Sequence, residues 1–354
     1  MADSTDDDLK TLRESVRAVL TERGGGPADA EDRPEGFDPG LWTLLSGGLG
    51  LAGLGAPERF GGSGAGFREL AVVFEECGRA LYAGPLLQTV LALDAVTHAE
   101  TVDEKLAGDL ASGARLGAVA PGLPPVRGRA DLGVRWSDGA LTGEVRHVVG
   151  AAGADVLVVE ADSGELYFLE TGAAGVTVVP GPVLDPTRRL ADVSFDGAEA
   201  LPLTGTGGAR RLRCAAAALL ACEQVGAAEA ALEAAVAYAK VRTQFGRPIG
   251  SFQSVKHQLA EVLLDVESGR AAARGAAEAL DEDDPELEIL ASIAKGWCSR
   301  MCTEAVECSL QVHGGIGFTW EHPTHYYLKR AKTSELLFGD CGRHRTHLAD
   351  LLGL

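Results

Sequence analysis

The sequence predicts a mainly α protein with a β domain in its middle, and three observations carry that expectation. Apolar residues recur at helical spacing over the first third of the chain. Residues 116 to 203 switch to short alternating or apolar runs separated by Gly, Pro and Asp. Helical periodicity returns after the stretch GTGGA at 205 to 209 and lasts to the end. The implied layout is an N-terminal helical domain over 1–113, a small antiparallel β domain over 114–204 and a C-terminal four-helix bundle over 205–354.

In the first domain the periodic segments are LKTLRESVRAVL, LWTLLSGGLGLAGL and FRELAVVFEECGRAL, broken by turn-forming stretches such as GAPERFGGSGAG. The middle domain reads as strands in GVRWSD, ALTGEVRHVV, DVLVVEA, ELYFLE, GVTVVPG and ADVSFDG. The last domain predicts helices over 210–242, 251–279, 286–313 and 326–337, with the acidic DEDDPE as a solvated connection at 281–286. Small residues fill AAAALLACEQVGAAEAALEAAVAYA, so the first of these helices can approach its neighbours closely and must be covered on most sides.

With 46% hydrophobic residues, the 354-residue chain can bury a sizeable core. A formal charge of −19 argues against nucleic acid or an anionic membrane surface as the main partner. MADSTDDDLK lacks the basic and apolar runs of a signal peptide, which implies a cytoplasmic protein whose first eight or so residues are disordered. CAAAALLAC, at 214 to 222, is too short to span a bilayer and reads as a buried helix. Seven cysteines contain no CxxC pair and are expected to be reduced. Cys298 and Cys302, four apart on a helix, read as small apolar thiols packed in the core, and the pairs His322/His325 and His344/His347 have no HExxH-type acid between them, so no metal is expected.

The most informative passage is YAKVRTQFGRPIGSFQSVKHQLAEV, residues 238 to 262. It reads as a helix end, a turn punctuated by Gly246, Pro248 and Gly250, and a second helix, presenting Arg242 and Arg247 to an anion and Phe245 to a flat ring. This passage resembles the acyl-CoA dehydrogenase family. So do QVHGGIGFTWEHPTHYYLKRAK at 311 to 332, APERFGGSGAGFRELAVVFEECGRAL and LDPTRRLADVSFDG, so the likeness covers nearly the whole chain. The resemblance implies FAD as cofactor, with Arg242 on its pyrophosphate and further contacts from Phe245 and Gln253. It also implies that Gln311, Gly314 and Gly315 meet the flavin nucleotide of a neighbouring subunit. A planar guanidinium suits a pyrophosphate because its fork makes two parallel charge-assisted hydrogen bonds. By the same resemblance the substrate is an acyl thioester, the electron acceptor is an electron-transfer flavoprotein, and the assembly is a dimer, a tetramer or a heteromer.

The family reaction removes a proton beside a thioester carbonyl while hydride leaves the next carbon for the flavin, and it needs a carboxylate base. The two places where the family carries that glutamate fall on Gly339, in SELLFGDCG, and on Ala216. Neither can take a proton. Asp340, one residue along, is the first candidate for a substitute base, ahead of Glu223 and Glu335. In the middle domain the loops that contact the flavin ring read VAPGLPPVRGRAD and EVRHVVGAAGAD, with His147 and Val149 where the family has tryptophan and threonine. The adenosine contact falls on Cys341, and acyl-CoA contacts fall on Cys214 and Ala217. The nucleotide half of the flavin site is therefore kept and the ring half is not.

Three readings follow. The chain is a FAD-dependent dehydrogenase with Asp340 as an atypical base, or a short actinobacterial-type member that completes the FAD site of a catalytic homologue, or a non-redox enzyme on the same fold. The last stays open because fold does not fix function.

Overall fold

The computed structural model describes residues 5–23, 27–33, 35–127, 133–205 and 207–354. Gly128 to Asp131 of VAPGLPPVRGRAD and Thr206 of GTGGA lie outside them. Thr5 caps the first helix, α1 (Asp6–Arg23): its Oγ1 accepts from the Asp8 N–H at 3.2 Å, and three aspartates sit in the positive first turn. Disorder through the first eight residues is thereby corrected, since Asp6 to Asp8 are helical; residues 1 to 4 lie outside the described part.

Five more helices follow: α2 (Pro27–Asp32), α3 (Pro39–Thr43), α4 (Phe67–Arg79), α5 (Leu86–Thr97) and α6 (Glu104–Ala111). The start of α4 is capped from far along the chain. Asp281 accepts from the N–H groups of Phe67 and Arg68 at 2.7 and 3.0 Å, tying the first domain to the last.

The middle domain is two four-stranded sheets. One runs β1 (Gly117–Ala120), β4 (Val156–Glu160), β5 (Leu166–Glu170), β8 (Leu201–Leu203); the other runs β2 (Val134–Ser137), β3 (Ala140–Val149), β7 (Leu190–Glu199), β6 (Val176–Pro180). All pairs are antiparallel except β1 with β4. β7 shows the alternation of a strand with one face on the core, burying Ala191, Val193 and Phe195. These residues share a separate core with Leu141, Val148, Leu157 and Leu169.

The C-terminal domain holds three long helices and two short ones. They are α7 (Gly208–Val241), α8 (Gln253–Asp281), α9 (Leu287–His313), α10 (Thr324–Leu336) and α11 (Cys341–Leu351); the last was not anticipated from SELLFGDCGRHR. Between α7 and α8, β9 (Thr243–Gln244) and β10 (Arg247–Pro248) form a small hairpin. α7 is long and apolar enough to cross a bilayer, but 89% of its apolar stretch is buried among α4, α8 and α9. Small residues explain the fit: a Cβ on Gly226 would lie 1.7 Å from the Glu75 carbonyl oxygen, and one on Gly78 would lie 1.8 Å from that of Glu223. The backbones of α4 and α7 touch there, and only glycine permits it. One hydrophobic core therefore runs through both helical domains.

Candidate functional site

The residues singled out in the sequence fall into two groups at opposite ends of α7. At its C-terminal end, Arg242 is the helix C-cap, and its backbone joins the tight turn in which Phe245, at φ +52°, precedes Gly246 at φ +77°. Arg242 and Gln253 are exposed, and Phe245 is 92% exposed. Arg247 lies over the Phe252 ring at 4.0 Å, which stiffens the turn. The Tyr238 ring of α7 packs on His313 at 4.7 Å, bringing the 311–318 segment alongside. Gln311, Gly314 and Gly315 are exposed, and a Cβ on either glycine would meet nothing within 4 Å, so a ligand backbone can approach. Arg242, Phe245, Gln253, Gln311, Gly314 and Gly315 thus share one open end of the helical domain. Val241, Ile316, Phe318 and Trp320 are exposed around them.

The other group surrounds the places where a base is expected. Ala216 is fully buried in α7. Gly339 has φ +99°, and a Cβ there would lie 3.1 Å from His344 Nε2 and 3.2 Å from Pro124 Cδ. A side chain at 339 would be strained by the backbone conformation and crowded by His344 and Pro124. Pro124 and His344, with Cys214 and Ala217 of α7, enclose a void of only about 20 Å³. That is room for about one water and not for a flavin ring or a thioester. Arg343 Nε donates to the Pro124 carbonyl at 2.7 Å, fastening the middle domain over the gap. His344 donates from Nε2 to the Phe338 carbonyl at 3.0 Å, while burial, aided by the Lys295 cation, pushes its pKa down to about 4. It is neutral at physiological pH.

Asp340 is the exposed N-cap of α11, accepting from the Arg343 N–H at 2.7 Å, and it borders neither this void nor the chamber of about 490 Å³ beside Arg188. The structure therefore gives the candidate base a capping contact, because the chain turns into α11 directly after Gly339 and the first N–H groups of that helix need an acceptor. Glu335 meets Thr303 Oγ1 at 3.3 Å and Lys332 at 3.7 Å. Cys341 begins α11, and the buried Cys214 has its thiol pushed up to about 12 by burial. His147, exposed at φ +59°, and Val149 lie on β3. The arginines at the start of α7 are all engaged: Arg210 with Glu288 at 3.0 Å, Arg211 with Asp94 at 3.1 Å, and Arg213 with Glu160.

Two features escaped the sequence. Lys295, fully buried on α9, donates to Ser299 Oγ at 2.8 Å and to the carbonyls of Glu335 and Gly339 at 3.2 and 2.9 Å, lashing down the segment before α11. Burial lowers its pKa to about 7. Because the unfolded chain protonates first as pH falls from 10.5, wild-type stability should decline from pH 10.5 to about 7 through this group and be level below. Denaturant unfolding of wild type and Lys295→Met checks it: wild type should gain on the variant by about 1.4 kcal/mol per pH unit between pH 7 and 10.

The second feature is a buried ion network. Glu223 is held by Arg188 and, at 2.7 Å, by Arg330, whose Nε reaches Asp185 at 2.9 Å. Sequence spacing places an acid at 223 but cannot pair it with residues 35 positions before and 107 after. Among the described residues no three His, Cys, Asp or Glu side chains gather as a metal site.

Ala216 and Arg242 lie 26 residues apart on one continuous helix and its cap, about 39 Å at the α-helical rise. A single dinucleotide cannot touch both ends of one chain.

Residues 6–113 match the family described as acyl-CoA dehydrogenase, N-terminal domain, and residues 215–352 match acyl-CoA dehydrogenase, C-terminal domain. The chain is 37% identical over 335 residues to acyl-CoA dehydrogenase IpdE2 of Mycobacterium tuberculosis, covering 94% of this chain and 93% of IpdE2. It is 36% identical over 353 residues to acyl-CoA dehydrogenase FadE34 of the same organism, covering 97% of this chain but 48% of FadE34. Among solved structures it resembles the Tcur3481-Tcur3483 steroid ACAD G363A variant, with TM-score 0.90 and 29% identity over 98% of each chain. It also resembles the ChsE4-ChsE5 complex from Mycobacterium tuberculosis, with TM-score 0.88 and 26% identity over 100% of this chain and 99% of that one. The chain belongs to the acyl-CoA dehydrogenase family.

Proposed function

We propose that this chain is the base-lacking subunit of a heteromeric, FAD-dependent acyl-CoA dehydrogenase, and that it supplies the nucleotide-binding half of a FAD site completed by a homologous partner. The observation that supports the proposal best is the state of its own base positions: Gly339 and Ala216 offer no carboxylate, and the void beside them, lined by Pro124, Cys214, Ala217 and His344, holds only about 20 Å³. The open end of α7 supports it from the other side, since Arg242, Gln253, Gln311 and the two glycines stand on a surface rimmed by exposed Phe245, Phe318 and Trp320. Exposed aromatic residues clustered in this way mark an interaction surface. The match with a relative of which this chain spans about half is consistent with two such modules working together.

In this reading the Arg242 guanidinium grips the pyrophosphate by paired N–H donors, Gln253 and Gln311 give side-chain contacts, and Gly314 and Gly315 let the nucleotide approach the backbone. FAD held there would supply the hydride acceptor for oxidation of an acyl thioester, with the proton-accepting carboxylate provided by the partner and an electron-transfer flavoprotein as the onward acceptor.

Absorbance spectra test the proposal. The chain purified alone should be colourless, and co-expression with a homologue carrying the glutamate should give a yellow complex bleached by an acyl-CoA. A yellow single chain bleached by substrate would overturn it and restore the reading with its own base. Asp340→Asn separates the two directly. Asparagine still caps a helix, so flavin reduction by the complex and the unfolding midpoint should both stay within error of wild type, whereas a working base would lose reduction at unchanged FAD content.

A further inference from the structure

Two histidines hold the turn that carries Gly314 and Gly315. His313 ends α9, the chain leaves it through Gly314 at φ +63° and a short 3₁₀ turn over Gly314–Phe318, and His322 stands just before α10. The two imidazole rings pack at 4.3 Å, and His313 also packs on Tyr238 of α7, so three rings fasten this turn to the end of α7. Each histidine is fixed as one neutral tautomer. His313, 5% exposed, donates from Nδ1 to the Ser309 carbonyl at 2.7 Å, which leaves its Nε2 without a proton. His322 does the reverse: its Nδ1 accepts from the Thr324 N–H at 3.4 Å and lies 2.5 Å from the Thr324 hydroxyl, serving the otherwise unpaired first N–H of α10.

We propose that His313 and His322 are positioning residues for the Gly314–Gly315 turn, and that uptake of a proton by the pair loosens it. A proton on His322 Nδ1 would set a donor against the Thr324 N–H, and one on His313 Nε2 would set a cation against the second ring. The surroundings offer nothing to offset that charge. α7 contributes the Tyr238 ring and α10 the Thr324 hydroxyl, while Lys329 and His325 of α10 face Trp320 and Tyr326 instead. Burial, and then the neighbouring His313, push the His322 pKa below 6.5. The sign follows: a histidine whose folded pKa is depressed leaves the closed turn at full strength above its unfolded value of 6.5 and weakens it as pH falls below. The consequence for FAD rests on the function proposed above, whereas the loosening does not.

Hydrogen exchange of residues 311–322 in the full chain, corrected for the intrinsic rate at each pH, reads the turn without FAD. Protection should be level from about pH 8 to 6.5 and fall below that, by up to about tenfold per pH unit for each proton taken up. His322→Asn offers Thr324 an acceptor that does not titrate, so it should keep the protection seen at about pH 7.5 and remove most of the decline. His313→Phe keeps a ring between Tyr238 and His322 and should flatten the decline as well. In the assembled flavoprotein, wild type should bind FAD at least about threefold more weakly at pH 5.5 than at pH 7.5, and His322→Asn should show no such change. Wild-type protection indifferent to pH, or a decline equally steep in both variants, would overturn the proposal. A turn that loosens in acid while FAD affinity stays level would uphold the histidine pair and count instead against the nucleotide site proposed above.

Discussion

Arg242→Ala, made in the chain while it is assembled with a catalytic homologue, should lower FAD affinity about 10- to 150-fold and leave this subunit folded. The magnitude follows from losing a charge-assisted, two-pronged contact with a pyrophosphate, worth ~1.5–3 kcal/mol in a hydrogen bond to a charged group. The folding half of the expectation follows from where Arg242 sits. It is the exposed cap of α7, and only its backbone is used, the N–H donating to the Tyr238 carbonyl at 2.9 Å and the carbonyl accepting from the Ile249 N–H at 2.8 Å. Arg242→Lys keeps the charge but loses the fork, so it should fall between the two. Flavin absorbance per complex after exhaustive dialysis, read beside the thermal midpoint, measures both quantities. Unchanged FAD content in Arg242→Ala would remove the arginine from the site.

The helix–turn–helix that presents Arg242 was legible in the sequence, while the surroundings of the base position were not, and the reason is physical. The 238–262 passage is local: a helix, a glycine turn and a second helix specify one another through neighbours a few residues apart, and the fold keeps that arrangement. The three-part layout was legible for the same reason, since helical and strand periods are local signals. The 334–345 stretch is different. Its sequence permits either a loop that aims Asp340 inward or a helix capped by it, and the choice is made by contacts from elsewhere. Lys295 on α9 holds the carbonyls of Glu335 and Gly339, and Pro124 of the middle domain accepts from Arg343. Side chains separated by 40 and 219 positions decide the matter, and no pattern within a dozen residues reports them. The chamber beside Arg188 was invisible for a further reason: a cavity is defined by what three domains fail to fill.

Glu223→Gln should destabilise the fold by about 3–5 kcal/mol near neutral pH, the largest stability effect expected of any single substitution considered above. The carboxylate lies on α7 where that helix meets α4, and it accepts from two buried guanidiniums, those of Arg188 and Arg330. Removing its charge leaves two cations facing one remaining anion, Asp185, in a space where an unpaired charge is costly. Burial alone would raise the Glu223 pKa, but the guanidiniums of Arg188 and Arg330 outweigh it and hold the value below the ordinary 4.5. The pH dependence then has a definite sign. A carboxylate whose folded pKa is depressed contributes stability that is complete above its unfolded value and fades as pH falls through the folded one. The gap between wild type and Glu223→Gln should accordingly be constant from pH 7 to about 5 and shrink below about 4.5, measured by urea unfolding at each pH. A gap that instead persisted unchanged into acid would mean that Glu223 acts through shape and hydrogen bonding, and that the charge balance around Arg188 and Arg330 rests on other groups.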